Sequence, residues 1–124
     1  QDHVTFTGYQ EDKSSFIAIM DMILCPSDHE PFGLVAIEAM AHQKPVIASN
    51  VGGFKETILH NQTGLLVPPK DSTALARAIQ TLYDQPEKKV ALAQAGYQRY
   101  LSHFQNKTFV SHIASTYTKL EERE

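Results

Sequence analysis

Leu24-Cys-Pro-Ser-Asp-His-Glu-Pro-Phe-Gly-Leu-Val-Ala-Ile-Glu-Ala-Met-Ala-His-Gln-Lys-Pro-Val-Ile-Ala-Ser-Asn50 is the stretch whose reading decides the fold. It parses as strand, loop, helix, strand. Ile23, Leu24 and Cys25 form a short apolar run that Pro26 and Ser27 end. Residues Ser27 to Pro31 have turn composition and lead to Phe32 and Gly33. Leu34, Ile37 and Ala41 then share one helical face at three- and four-residue spacing. Lys44-Pro45 stops that helix, and Pro45 opens the next apolar run, Val46 to Ala48. Two carboxylates sit in this unit, Glu30 in the loop and Glu38 in the helix, with seven residues between them.

That spacing has a geometry. A helix starting near Gly33 has first amides without intrahelical acceptors and the positive end of its dipole there. Such an end binds a phosphate or diphosphate, and Gly33 lets a ligand come close to the backbone. Glu38 lies roughly 7.5 Å further down the axis at 1.5 Å per residue, about the offset from a diphosphate to the sugar of its own nucleotide. A carboxylate accepts from both hydroxyls of a ribose diol at once. Glu30, ahead of the helix, falls on the other side of the diphosphate, where a second sugar would hang. One loop and helix thus suit a nucleotide-sugar read from both ends.

These residues also carry a family resemblance. Pro26-Ser27, then Glu30-Pro-Phe-Gly-Leu-Val-Ala-Ile-Glu38-Ala-Met-Ala, Pro45-Val-Ile-Ala-Ser49, Gly52-Gly53, Thr63-Gly64-Leu-Leu-Val-Pro68 and Asp71 occur in that order. Together they resemble the C-terminal, donor-binding domain of GT-B glycosyltransferases of family 4 (glycosyl transferases group 1), from Val4 to about Tyr83. The resemblance implies a retaining transfer of a sugar from a nucleotide-sugar to an acceptor hydroxyl, with no metal and no cofactor. It implies that Glu30 is catalytic and approaches the donor sugar, and that Glu38 holds the ribose. Phe32, Gly33, Leu34, Gly52 and Gly53 complete the implied substrate site. The leaving diphosphate itself assists the incoming hydroxyl, leaving orientation and charge stabilisation to the protein. The family has Gly where this chain has Gln43, at the helix end, a departure that costs a few tenths to about 1 kcal/mol of helix-end stability.

The remaining composition narrows the class. At 124 residues the chain is one domain with a real core. A net charge of −3 gives no electrostatic footprint for nucleic acid. One cysteine leaves no internal disulfide and fits a reducing, cytoplasmic compartment. No apolar run reaches the length of a transmembrane span. The chain begins at Gln1, inside a pattern, so residues 1–124 read as a donor-binding fragment lacking the first strands of its domain and the N-terminal acceptor domain. The family's Arg and Lys that neutralise the leaving diphosphate belong to that earlier part. The alternative is a non-catalytic nucleotide-sugar binding or interaction module, and an upstream Gly-Arg and Lys-Gly pair would distinguish the enzyme from it.

Strands alternate with helices along the chain, which predicts an α/β fold: a Rossmann-like parallel sheet with flanking helices, the incomplete C-terminal half of a GT-B fold. Val4 to Thr7 alternates as a strand closed by Gly8. Asp12 or Ser14 caps a helix carrying Phe16, Ile17 and Met20. Gly52-Gly53 turns into a short helix through Thr57, Ile58 and Leu59, and Gly64 to Val67 is the last strand. Asp71 or Ser72 caps a helix with Leu75, Ile79, Leu82 and Tyr83 on one face. Pro86 opens another through Val90, Tyr97, Leu101 and Phe104, and a third carries Phe109, Ile113, Thr116, Tyr117 and Leu120. With the preceding strands absent, Val4 to Thr7 is expected to move in beside Met22 to Cys25, giving four parallel strands in chain order. Three crossover helices would share one face, and Leu75, Ile79, Tyr97, Leu101, Ile113 and Tyr117 would cover the other.

Ligands in such sheets bind beyond the carboxyl ends of the strands, so Gly8 to Gln10, Pro26 to Gly33 and Asn50 to Gly53 are the candidate loops. Tyr9 suits stacking on a nucleobase, although packing on its own helix is the favoured reading. Taken alone, Glu38 reads as an exposed helix carboxylate and Glu30 as a dipole partner of the helix start. Ser27, Asp28 and His29 are adjacent and cannot form a triad with one another. His29 reads as a surface group, Lys55 as a solvated lysine, and Cys25 as core packing. The six histidines show no ligand spacing. A glycoside hydrolase would flank one bond with both acids, which a helix-borne Glu38 beside a diphosphate site does not fit.

Overall fold

Val46-Ile-Ala-Ser49 is buried along its whole length, the mark of a central parallel strand covered on both faces. The structure, a computed structural model, describes residues 3–105. Its elements in chain order are α1 (Lys13–Ala18), β1 (Ile23–Cys25), α2 (Leu34–Ala41), β2 (Val46–Ser49), α3 (Gly52–Thr57), β3 (Leu65–Val67), α4 (Ser72–Asp84) and α5 (Pro86–Arg99). A π-helical turn, Tyr100–Phe104, continues α5. The three strands are parallel and ordered β1-β2-β3, with Cys25 opposite Ala48 and Ser49 opposite Val67.

The alternation along each strand sorts the core into two layers. Ile23, Cys25, Val46 and Ala48 face Ile17 of α1, Ala36, Ala39 and Met40 of α2, and Phe54 of α3. The two crossover helices, α2 and α3, therefore share one face with α1, which precedes the first strand and is not a crossover. Ile47, Leu65 and Val67 face Leu82 of α4 and Leu92 of α5, with Leu75 and Ile79 packed against them. Helix α5 touches both α4 and α2, so it passes from the second layer to the first. Tyr100 and Phe104, past the end of α5, pack against the first layer. The predicted helix through Phe109 to Leu120, with Ile113 and Tyr117, lies outside the described residues.

Residues Val4 to Thr7 are not a strand, and the four-stranded arrangement is overturned. The sheet stops at β1, Val4 is 60% exposed and Phe6 94%. The segment's side chains stay exposed to solvent, and a strand without a paired neighbour gains little. The six-residue α1 inserts only Ile17 into the core, too little to draw the segment before it onto the sheet edge. Helix α3 is also shorter than predicted. It ends at Thr57, and the backbone of Ile58 is extended, its side chain 1% exposed in the core.

Caps explain the other boundaries. The Asp12 carboxylate accepts from the Ser15 amide and hydroxyl, and Asp71 accepts from the Ala74 amide at 2.9 Å, so Asp12 and Asp71, not Ser14 and Ser72, are the caps. Gln43 takes a left-handed φ of 57° after α2, the conformation that a glycine adopts without strain.

Candidate functional site

The loop from Glu30 to Gly33 and the start of α3 form one tightly packed unit at the carboxyl ends of β1 and β2. Gly33 has φ 69° and stands at the N-cap of α2. With no side chain of its own to cap the helix, it relies on Glu30, whose Oε1 accepts from the Gly33 amide at 3.1 Å. The Gly53 amide donates to the Glu30 carbonyl at 2.6 Å. Gly52 has φ 45°, and a methyl group there would run into that same carbonyl oxygen. A methyl group on Gly53 would lie 2.6 Å from the Phe32 nitrogen, with the rest of the Phe32 backbone as close. The two glycines are therefore required by contact: only a bare backbone lets α3 approach the loop this closely.

Thr57 completes the packing from below. Its hydroxyl donates to the Gly53 carbonyl at 2.8 Å and lies 3.4 Å from the Phe32 carbonyl. A methyl group on Gly33 would stand 2.7 Å from it. Arg99, at the end of α5, donates through Nε to the Thr57 carbonyl and through Nη2 to the Glu56 carbonyl, both at 2.8 Å. In the sequence Thr57 reads only as a helix residue, and Arg99 carries no functional signal. A hydroxyl four residues after Gly53, on the same helical face, was the available signal for Thr57; nothing in the pattern around Arg99 distinguishes it from a surface arginine.

The structure thus brings Glu30, Phe32, Gly33, Gly52 and Gly53 into mutual contact, while Leu34 is the half-buried first residue of α2. Glu38 faces elsewhere. It is half-buried and lines a cavity of about 470 Å³ together with Gly8, Tyr9, Lys13 and Val35. Glu30 is not part of that lining; its carboxylate turns to Gly33, as a dipole partner would. Tyr9 is 86% exposed at the cavity mouth, so the reading in which its ring packs on its own helix does not hold.

Cys25 is buried in the core. Burial, and to a lesser degree the charge of Glu30, pushes its thiol up to about 11, which leaves it a packing residue at neutral pH. His29 and Lys55 are exposed, and Asp28 pairs with Lys70 at 3.9 Å across solvent. Among the described residues no three His, Cys, Asp or Glu side chains gather to hold a metal, and no helix is long and apolar enough to cross a membrane.

Comparison with known proteins agrees with this architecture. Residues 1–99 match the family model described as glycosyl transferases group 1. Glycogen synthase of Mycobacterium tuberculosis is 36% identical over 115 residues, 90% of this chain and 28% of that protein. Sucrose-phosphate synthase from Thermosynechococcus elongatus superposes with a TM-score of 0.82 at 40% identity, over 99% of this chain and 31% of that one. HepE of Anabaena, solved in complex with UDP-glucose, gives a TM-score of 0.85 at 32% identity, over 96% of this chain and 33% of that one. The chain thus spans about a third or less of the length of these three relatives. With a parallel sheet flanked by helices matching these neighbours, the chain belongs to the glycosyl transferases group 1 family, and its fold is that of the Rossmann-like C-terminal domain of GT-B enzymes.

Proposed function

We propose that this chain is the donor-binding domain of a retaining hexosyltransferase, which moves a sugar from a nucleotide-diphosphate sugar to an acceptor hydroxyl held by an N-terminal domain of the same enzyme. The observation that carries the reading is Glu38, which shares a 470 Å³ cavity with Gly8, Tyr9 and Lys13, about one and a half turns below the helix end that Gly33 opens. In this reading the diphosphate rests on the first amides of α2, where the helix dipole favours an anion. Glu38 accepts from the ribose hydroxyls, and the exposed Tyr9 covers the base. The donor sugar lies toward Glu30, Phe32, Leu34 and the Gly52-Gly53 turn.

Glu30 is the catalytic group in this proposal. Its carboxylate sits at the helix start, on the Gly33 amide, and in this reading faces the donor sugar, where positive charge develops as the bond to the diphosphate breaks. Anchoring by two fixed backbone contacts, its own carbonyl to Gly53 and its side chain to Gly33, gives it the preorganisation that charge stabilisation needs. In the retaining course the leaving diphosphate takes the proton of the acceptor hydroxyl on the face from which it departs. The UDP-glucose bound by HepE supports a uridine nucleotide as the first donor to try, and a nucleotide-sugar donor fits the cytoplasm. Glu38→Ala tests the reading: it is expected to weaken UDP binding, measured by calorimetry, by about 1–3 kcal/mol, the worth of charged hydrogen bonds. Unchanged affinity in a folded variant would refute it.

A further inference from the structure

We infer that Arg99 is a positioning residue for the donor site, acting through Thr57 on the Glu30–Gly33 loop; the inference rests on the site reading given above. Helix α3 has only six residues, and its N-cap Val51 offers no side-chain hydrogen bond. So short a helix has little stability of its own. Phe54 anchors it in the core, and its ends are aligned by Gly53 against the Phe32 backbone and by the guanidinium of Arg99 on the Glu56 and Thr57 carbonyls. A cation on the last carbonyls of a helix is favoured by its dipole, and the planar fork of arginine can engage two carbonyls at once.

The path from Arg99 to the site is short and continuous. Arg99 fixes the backbone of Thr57, the Thr57 hydroxyl is bonded to the Gly53 carbonyl, and the Gly53 amide is bonded to the Glu30 carbonyl. Arg99 is itself held on the Phe104 ring, with its guanidinium carbon 5.3 Å from the ring centre. The orientation of the loop that carries Glu30 is therefore set by a side chain 69 positions later in the chain. Loosening either link lets α3 shift along its axis, and misplacement by about 1 Å costs a binding or catalytic group much of its effect.

The test measures UDP affinity by calorimetry and folded stability by urea unfolding in the full-length protein. The variants are Thr57→Val, Thr57→Ser, Arg99→Ala, Arg99→Lys, the double variant Thr57→Val/Arg99→Ala, and Glu38→Ala as the reference for the site. Thr57→Val is expected to raise the Kd for UDP about 5- to 20-fold and Thr57→Ser to restore it, since only the hydroxyl is in question. Arg99→Ala is expected to raise Kd about 3- to 10-fold, and Arg99→Lys, which keeps the charge but not the fork, to recover part of that loss. The double variant is expected to bind about as weakly as Thr57→Val alone, because Arg99 acts through Thr57. Folded Thr57→Val and Arg99→Lys proteins with wild-type Kd would overturn the inference, even if less stable. Full additivity in the double variant would overturn it as well. If Glu38→Ala weakens binding while these variants do not, the site stands and only the positioning role falls; if Glu38→Ala also leaves Kd unchanged, both fall.

Discussion

Gly53→Ala isolates the contact on which the packing of the site depends. Gly53 lies inside α3 with an ordinary helical φ, so alanine meets no backbone strain there and gains about 0.5–1 kcal/mol of helix propensity. Against that stands the new methyl group, 2.6 Å from the Phe32 nitrogen with the rest of the Phe32 backbone as close. No side-chain rotation relieves a clash with backbone, and overpacking of this kind costs about 1–3 kcal/mol. The net expectation is a destabilisation of about 1–2 kcal/mol, or about 4–8 °C in melting temperature for a domain of this size. Gly96→Ala is the internal control. It gains the same propensity in α5, but its methyl group meets the Thr63 carbonyl oxygen at 3.2 Å and the flexible Met40 side chain at 3.4 Å, so its stability should stay within about 0.5 kcal/mol of wild type. Urea unfolding followed by circular dichroism reads both, with the slope checked for constancy. A Gly53→Ala protein as stable as wild type, or less perturbed than Gly96→Ala, would refute the argument that α3 and the loop touch through bare backbone.

Three further outcomes follow from other parts of the molecule. Asp71→Ala removes the acceptor for the Ala74 amide and should cost about 1 kcal/mol in the same unfolding assay. Cys25, whose thiol is raised from 9.0 to about 11, should resist alkylation in the native protein at pH 8 and react readily in urea. Because its folded value lies above its unfolded one, the stability that this burial contributes is complete below pH 9 and is lost as pH rises toward 11; a pH series of urea midpoints compared with Cys25→Ala would reveal that difference. Finally, if the proposed assignment holds, with the acceptor half of the cleft and the cationic pair supplied by an earlier part of the enzyme, residues 1–124 alone should transfer no radiolabelled sugar above a Glu30→Gln control.

The central unit was legible because its signals are local. The spacing of Leu34, Ile37 and Ala41, the stop at Lys44-Pro45 and the apolar run from Val46 are each decided within a few residues. Gly33, Gly52 and Gly53 were legible as special positions, since turns and close backbone approaches select glycine, although their mutual contact is a tertiary fact. Val4 to Thr7 misled because alternation states what a segment could bury, not whether a neighbouring strand is there to receive it. The end of α3 misled because Ile58 continues the apolar pattern while its backbone has already become extended. The side-chain direction of Glu30, turned to Gly33, and the exposure of Tyr9 depend on what surrounds them, which spacing alone does not encode. Arg99 was invisible for the same reason: its partners, Glu56 and Thr57, are more than 40 positions away.

That distance has a kinetic meaning. The strands pair in the order in which they occur, so β1, α2 and β2 can come together by closing short loops, each at a modest entropic cost. The link from Arg99 to α3 spans 42 residues and needs α4 and α5 to dock first. The order of dependence is thus one-way: the loop that carries Glu30 reaches its alignment only with α4 and α5 docked, while the pairing of β1 with β2 does not need them. Hydrogen exchange should reflect this order, with the β2 amides opening only on global unfolding while those of α3 open with the end of α5. A protein built this way has a framework that does not depend on its specificity, and it can lose the second while keeping the first.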